Sequence, residues 1–446
     1  MANKQVVAPG IPAELVTEAA QSFLSDPANT LRLNAVTRAS MQDVAINREV
    51  LNSINFTFSH DVETTDVTDQ KRSNTCWLFA ELNWLRTFTM RKFKLKNFEF
   101  SQNYLMFWDK FEKANFYLDN IIALIDKELD DRRVNFLMRD PSPDGGEWHL
   151  IVNLINKYGA VPKTVMPDTF NRENSRFMNE ILNYRLREGA MQLRKQHAQQ
   201  PNAEMLLAIK KTILVDIYRI LCICLGTPPV KFDWSFRNDS KDFYRETGIT
   251  PLEFAEKYIG ENLNEMYCLL SCPTDDTPYN QPYSVEFFNN MTGGREWHAV
   301  NLPIEDLKKY AMKMLKDNQS CIFGCDVVQE SHTKEGILDR RIFDYEALFG
   351  IKFSLNKVDR VLSNQTRLTH SMVLTGVDLV DDKPLKWKIE NSWGSEVGKK
   401  GFFLMSDEWF VEHTYDLIVP RRYLSSRHLK MFEKADVMLP PWHPMA

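Results

Sequence analysis

The pattern of apolar residues changes along the chain, and that change restricts the available folds more than any other feature of the sequence. Leu78, Leu82 and Leu85 recur at i, i+4 and i+7, which predicts a helix from Trp77 to about Met90. Helical spacing returns from Asn103 to Arg139 and from Arg172 to Leu225, where the polar run Arg194 to Pro201 is expected to turn between two helices. Ile304 to Leu315 reads as a further short amphipathic helix after Pro303. The first sixty residues mix helix and turn, with breaks at Ile11-Pro12 and Asp26-Pro27. After about residue 320 the texture is that of strands. Cys321–Val328, Met372–Val377, Trp387–Glu390 and Gly401–Met405 are short apolar or alternating runs, bounded by turn residues such as Asp381-Asp382-Lys383-Pro384. Ser406 is placed to cap a short helix that follows. Helices first and strands last predict an α+β fold.

Composition narrows the function. At 43% hydrophobic residues over 446 positions the chain can bury a sizeable core, so disorder is excluded. The balance of 55 Lys+Arg against 60 Asp+Glu leaves a net charge of −5, which gives no electrostatic reason to expect nucleic acid or an anionic membrane as partner. The longest apolar run, Ile213 to Gly226, is interrupted by Asp216 and Arg219 and falls short of the roughly 20 residues a membrane span needs. Seven scattered cysteines, an odd number, point to a reducing compartment, with the cytoplasm as the default. The pairs Cys268/Cys272 and Cys321/Cys325 lack the His or acidic partners of a zinc site, and no phosphate-binding glycine pattern is present. Neither metal nor cofactor is expected.

The window Asp69–Phe79 carries the first sign of chemistry. A polar, turn-like stretch delivers Cys76 to the start of an amphipathic helix, where open amides and the positive end of the macrodipole favour a thiolate. Gln70 lies six residues upstream, where its amide and the Cys76 N–H together form a two-donor oxyanion hole. A nucleophilic cysteine needs a base, and the base needs an orienter. His370 heads one strand run and Asn391 follows another. If the two runs pair as a hairpin across Asp381–Pro384, both residues reach one end of the sheet, and Trp393 can shield their hydrogen bond. Taken singly, each of these residues has an ordinary structural reading. Gly145-Gly146 alone is equally a tight turn.

The combination is more specific. Gln-x5-Cys-Trp, then a His before an apolar strand, then Asn-Ser-Trp-Gly about twenty residues on, resembles papain-like cysteine peptidases. Asp144-Gly145-Gly146-Glu147-Trp148, Gly336-Ile337-Leu338-Asp339, Ile342-Phe343-Asp344-Tyr345 and the ending Leu439-Pro440-Pro441-Trp442-His443-Pro444-Met445 are similar to their intracellular branch, the aminopeptidase C and bleomycin hydrolase family. The resemblance implies a two-lobed papain-like fold with large helical insertions. It implies Cys76 as nucleophile, His370 as base and acid, Asn391 as orienter and Gln70 as oxyanion donor. It also implies Gly145, Gly146, Trp393 and the terminal Ala446 at the substrate, peptide substrates, and assembly as a homohexamer. Two departures stand out. Ser73 takes the place of a second cysteine found in secreted relatives, and Ser73-Asn74-Thr75 lacks the glycine common before the nucleophile.

The expected organisation is an N-terminal arm (1–60), a helical lobe with the nucleophile (61–170), a mainly helical insertion for oligomerisation (171–320), a β lobe with His and Asn (321–435) and a C-terminal arm directed to the cleft (436–446). The aromatics Phe107, Trp108, Phe111, Phe116 and Tyr117 are more than an exposed monomer surface should carry, which supports a homo-oligomer. In the family the terminal carboxylate pairs with the substrate's free amine, making an aminopeptidase. Here the arm looks short, and each missing residue withdraws an extended tail by up to ~3.3–3.6 Å, so internal cleavage is a further expectation. The alternative reading is a non-catalytic oligomeric scaffold of the same fold that binds peptide or nucleic acid.

Overall fold

The computed structural model describes residues 10–445, and the chain divides into two compact units. The first joins the described residues 10–55 to residues 340–355. Its helices are Ala13–Ser25, Pro27–Val36, Met41–Ala45, Arg48–Asn52 and Tyr345–Phe349. Asp26 caps the second of these by accepting the Ala28 N–H at 3.0 Å, with Pro27 at the first position, where a missing N–H costs nothing. The 340–355 segment is tied in by Asn47 N–H to Ile342 O (2.9 Å) and Asp344 N–H to Ala45 O (2.7 Å). The expected arm therefore draws on a distant segment that no local pattern links to it.

The second unit, described over residues 56–339 and 356–445, carries the candidate site. Its nucleophile helix runs Cys76–Phe93, past the expected end, until Lys94 at φ 53 adopts the left-handed conformation that closes it. The helix is buried continuously from Trp77 to Arg86, so it crosses the core rather than lying on it. Trp84 is fully buried and donates its indole N–H to Ser320 O at 2.8 Å. Beside it lies the Gln102–Ala123 helix. Phe107 and Tyr117 of that helix sit in the core, and Trp108 and Phe111 pack against it. This corrects their expected surface role: helical spacing marks an apolar face, and here the same chain covers that face. Arg176–Gln199 and Ala203–Leu225 form a helix pair. The polar run from Arg194 continues the first of them, so the turn falls at Gln200–Asn202.

The sheet runs, from one edge, through Val437–Leu439, Gln281–Val285, Ala299–Asn301, Met266–Leu270, Thr414–Pro420, Cys321–Cys325, His370–Val380, Lys383–Glu390, Phe402–Ser406, Ile337–Leu338 and Ser331–His332. Both faces are covered in the middle. Ile322, Val373 and Ile418 face the helical core, while Phe323, Met372 and Leu417 face a second core that includes Leu307 and Met314 of the Ile304–Lys316 helix. Strands buried on both faces read as continuous apolar runs. That explains why residues 171–320, expected to be mainly helical, also supply three strands of this sheet and a separate hairpin, Phe232–Arg237 with Phe243–Ile249. Segments of three to five buried residues offer no alternation to read.

His370–Val380 and Lys383–Glu390 pair antiparallel, with Val380 opposite Lys383 and Val373 opposite Glu390. The hairpin expected across Asp381–Pro384 is present, and it brings the head of one strand beside the end of the other. Arg86 ties this hairpin to the nucleophile helix. Its Nη2 lies 2.8 Å from Glu390 Oε1 and 2.7 Å from Asp66 O, with both side chains 3% exposed. Removing one partner of such a pair strands the other charge in the core. Arg86→Met should therefore cost about 3–5 kcal/mol in chemical denaturation, and adding Glu390→Gln should recover part of that loss. An additive double variant would contradict this account.

Candidate active site

The segment before Cys76 is shaped without glycine. Asn74 takes φ 52, the left-handed region that asparagine tolerates better than most side chains, and so fills the role of the missing glycine. Ser73 is fully buried, and its hydroxyl donates to Gln70 O at 2.8 Å and lies 2.6 Å from the Thr75 hydroxyl. Thr75 therefore makes no side-chain cap on the helix it precedes. No side chain caps the first-turn amides, and the backbone N–H groups of Ser371, Trp77 and Cys76 itself act on the Cys76 sulfur.

These amides pull the thiol down while burial pushes it up, and burial wins. Burial likewise pushes the His370 imidazole down to about 4, against the hydrogen bond to Asn391. Each group is disfavoured as a lone charge. Proton transfer from sulfur to imidazole makes both charges together, and each then stabilises the other.

His370 Nε2 lies 2.9 Å from Asn391 Oδ1. The Ser392 N–H donates to the same Asn391 oxygen at 2.8 Å, which identifies that atom as the acceptor and Nε2 as the protonated nitrogen. Nδ1 is then the free base. The Trp393 ring sits 4.8 Å from the imidazole, as a shield. A bridge to Asp69 and an edge contact with Phe403 hold it behind the histidine. Gln70 is fixed at both ends by one residue: its N–H donates to Ser392 O (2.8 Å), and its Oε1 accepts the Ser392 hydroxyl (2.7 Å). Its Nε2 is left as the donor.

Cys76, His370, Gly145 and Gly146 share one cavity of about 530 Å³. Gly146 is required by packing rather than by a turn, because a Cβ there would fall 2.5 Å from Trp77 Cε2. A Cβ on Gly145 would meet nothing within 4 Å, so its edge of the cleft is open. Two buried lysines of the Gln102–Ala123 helix hold this wall. Lys110 pairs with Asp144 at 2.7 Å, and Lys113 pairs with Asp109 at 2.8 Å while donating to Gly145 O at 2.7 Å.

Ala446 lies outside the described residues. The arm before it pairs Val437–Leu439 in parallel with Tyr283–Val285, and Pro441 lines the cavity. Trp442 lies under the Arg132 guanidinium at 3.8 Å. Among the described residues no group of three or more His, Cys, Asp or Glu is arranged to hold a metal, and all seven cysteines are free. Sequence reasoning missed the Ser371 amide and the Ser392 hydroxyl.

Residues 10–446 match the model of the peptidase C1-like family. The chain is 42% identical to aminopeptidase C of Lactobacillus delbrueckii subsp. lactis over 392 residues, 87% of each chain. It is 38% identical to bleomycin hydrolase of Gallus gallus over 445 residues, 97% of this chain and 98% of that one. The crystal structure of PepW from Lactobacillus rhamnosis superposes with a TM-score of 0.95 at 41% identity, covering 98% of both chains. Fold, site geometry and these likenesses agree, and the chain belongs to the peptidase C1-like family as a cysteine-type peptidase of papain-like α+β fold.

Proposed function

We propose that the chain hydrolyses peptides through an acyl-enzyme on Cys76, with His370 as base and acid and Asn391 as its orienter. The observation that carries this reading is the Nε2–Oδ1 bond of His370 and Asn391, with the adjoining Ser371 N–H on the Cys76 sulfur. His370 Nδ1 takes the thiol proton as Sγ bonds to the scissile carbonyl carbon. The oxyanion receives N–H groups from Gln70 Nε2 and the Cys76 backbone. The C–N bond breaks as the imidazolium protonates the leaving amine. A water then gives its proton to His370 and attacks the thioester, releasing the acid and restoring the thiol. Gly145 and Gly146 form the wall along which the substrate backbone lies.

The relatives named aminopeptidase C support removal of N-terminal residues. Internal cleavage is the second activity we assign. Of the described arm, Pro441 alone lines the cavity. The unpaired cysteines suit a reducing cytoplasm. We further assign a homo-oligomer, by family resemblance a hexamer. The Ala13–Ser25 helix buries no residue and exposes Leu15, Val16, Phe23 and Leu24, and the Arg176–Gln199 helix exposes Phe177, Ile181 and Tyr184.

Cys76→Ala is expected to abolish hydrolysis with the fold retained by circular dichroism. Asn391→Ala should lower kcat by about 10²–10⁴-fold with KM little changed, and equal losses in the two variants would assign Asn391 a more direct role. A free-amine peptide and its N-acetylated twin should both be cut, the second internally. An uncut acetylated peptide would refute the internal activity. Light scattering at micromolar concentration should give several times 52.1 kDa, and a monomer mass would overturn the assembly.

A further inference from the structure

The lining of the catalytic cavity includes two arginines, and each comes from a stretch that also delivers part of the site. Arg139 closes the Arg132–Arg139 helix and opens the segment that runs on to Gly145 and Gly146. Arg367 stands three residues before His370, beside Leu368 and Thr369 of the same lining. Both arginines are exposed, yet neither backbone is loose. Arg187 holds the end of the first stretch, donating to Met138 O at 2.8 Å and to Arg139 O at 2.6 Å. Asp326, 2% exposed, holds the second. It accepts the Thr366 hydroxyl at 2.8 Å and the Thr369 hydroxyl at 3.2 Å, on either side of Arg367 and Leu368. Two cationic side chains are thus carried on fixed stems at the rim of the cleft.

Neither guanidinium has a carboxylate partner among the described residues. The other charges of the lining do not answer them. Lys113 is held by Asp109 at 2.8 Å, and Glu286 by Arg133 at 3.5 Å. Asp140 accepts the Asn183 amide at 3.0 Å. Burial pushes the Glu147 carboxyl up, toward its neutral form. The lining therefore holds more unanswered positive charge than negative, in a chain whose net charge is −5. A single exposed arginine is ordinary. Two on the rim of one cavity of about 530 Å³ are a charge that any occupant of the cleft meets. Guanidinium groups suit carboxylates above all, because their planar N–H fork matches both oxygens.

We propose that Arg139 and Arg367 form a carboxylate-binding site on the rim of the cleft, which makes acidic peptides the preferred substrates. The carboxylate comes from an Asp or Glu side chain close to the bond cut, or from the C-terminus of a short peptide. This rests on the reading of the cleft as a peptidase site, and it goes further by naming the substrate class. The arginines meet the substrate away from the reacting atoms, so they act on KM more than on kcat.

The test compares four versions of one peptide, with Glu or Gln on both sides of the cleaved bond and each ending in a free carboxylate or an amide. At low ionic strength kcat/KM for the more acidic peptide should exceed that of its neutral twin by about three- to tenfold, mostly through KM, and the margin should shrink in high salt. A margin that follows Glu identifies the side chain, and one that follows the free carboxylate identifies the C-terminus; either result supports the site. Equal kcat/KM for all four peptides overturns it. Arg139→Gln and Arg367→Gln together should bring the acidic-to-neutral ratio to about one. Arg367→Lys should keep part of the ratio, since lysine retains the charge without the paired N–H groups. A ratio unchanged in the double variant also overturns the proposal. Calorimetric binding of the same peptides to the Cys76→Ala protein separates this inference from the one beneath it. The preference seen in binding, with no hydrolysis by the unsubstituted protein, would count against the peptidase reading and leave the carboxylate site standing.

Discussion

The geometry of the site depends on a buried charge pair. The helix that starts at Cys76 crosses the core, and the strand that ends before Asn391 belongs to the sheet. Arg86 and Glu390 join the two inside the protein, where little water competes for either. Such a pair adds little net stability against an apolar replacement, because desolvation consumes most of the attraction. What it adds is registration, since a guanidinium and a carboxylate tolerate far less sliding than two apolar surfaces do. Arg86 Nη1 is left buried without a partner, a sign that position is favoured here over full satisfaction.

The opposite wall follows the same logic. Lys110 and Lys113 reach from one helix to the carbonyls of Ser142, Pro143 and Gly145 and hold a stretch with no regular structure as firmly as a strand would. Nucleophile, base and wall are all positioned by charges turned inward.

Much of this was legible in the sequence because each candidate residue stands at the end of an element. A turn running into a helix marks Cys76, the head of a strand marks His370, and the residue after a strand marks Asn391. Their order and the hairpin between them needed only local pattern. What stayed hidden depends on pairings between distant segments. No periodicity tells whether Phe107 and Tyr117 are covered by the same chain or by another. None shows that residues 340–355 close on the first unit. The closeness of Trp393 to the histidine follows from the hairpin, whereas its contacts with Asp69 and Phe403 join segments that no local pattern links.

Asn74 has a consequence for how this loop can change over generations. The left-handed backbone there suits glycine, asparagine and aspartate far better than other residues. In the genetic code asparagine reaches glycine in two single-base steps, through either aspartate or serine. Aspartate would keep the backbone shape but set a negative charge two residues before the sulfur, opposing the thiolate on which turnover relies. Serine would avoid that charge but fit the left-handed turn poorly. Both intermediates are penalised, for different reasons. A chain with asparagine at this position is therefore hindered from changing to glycine by single-base steps, and the asparagine is held in place by the cost of what lies between.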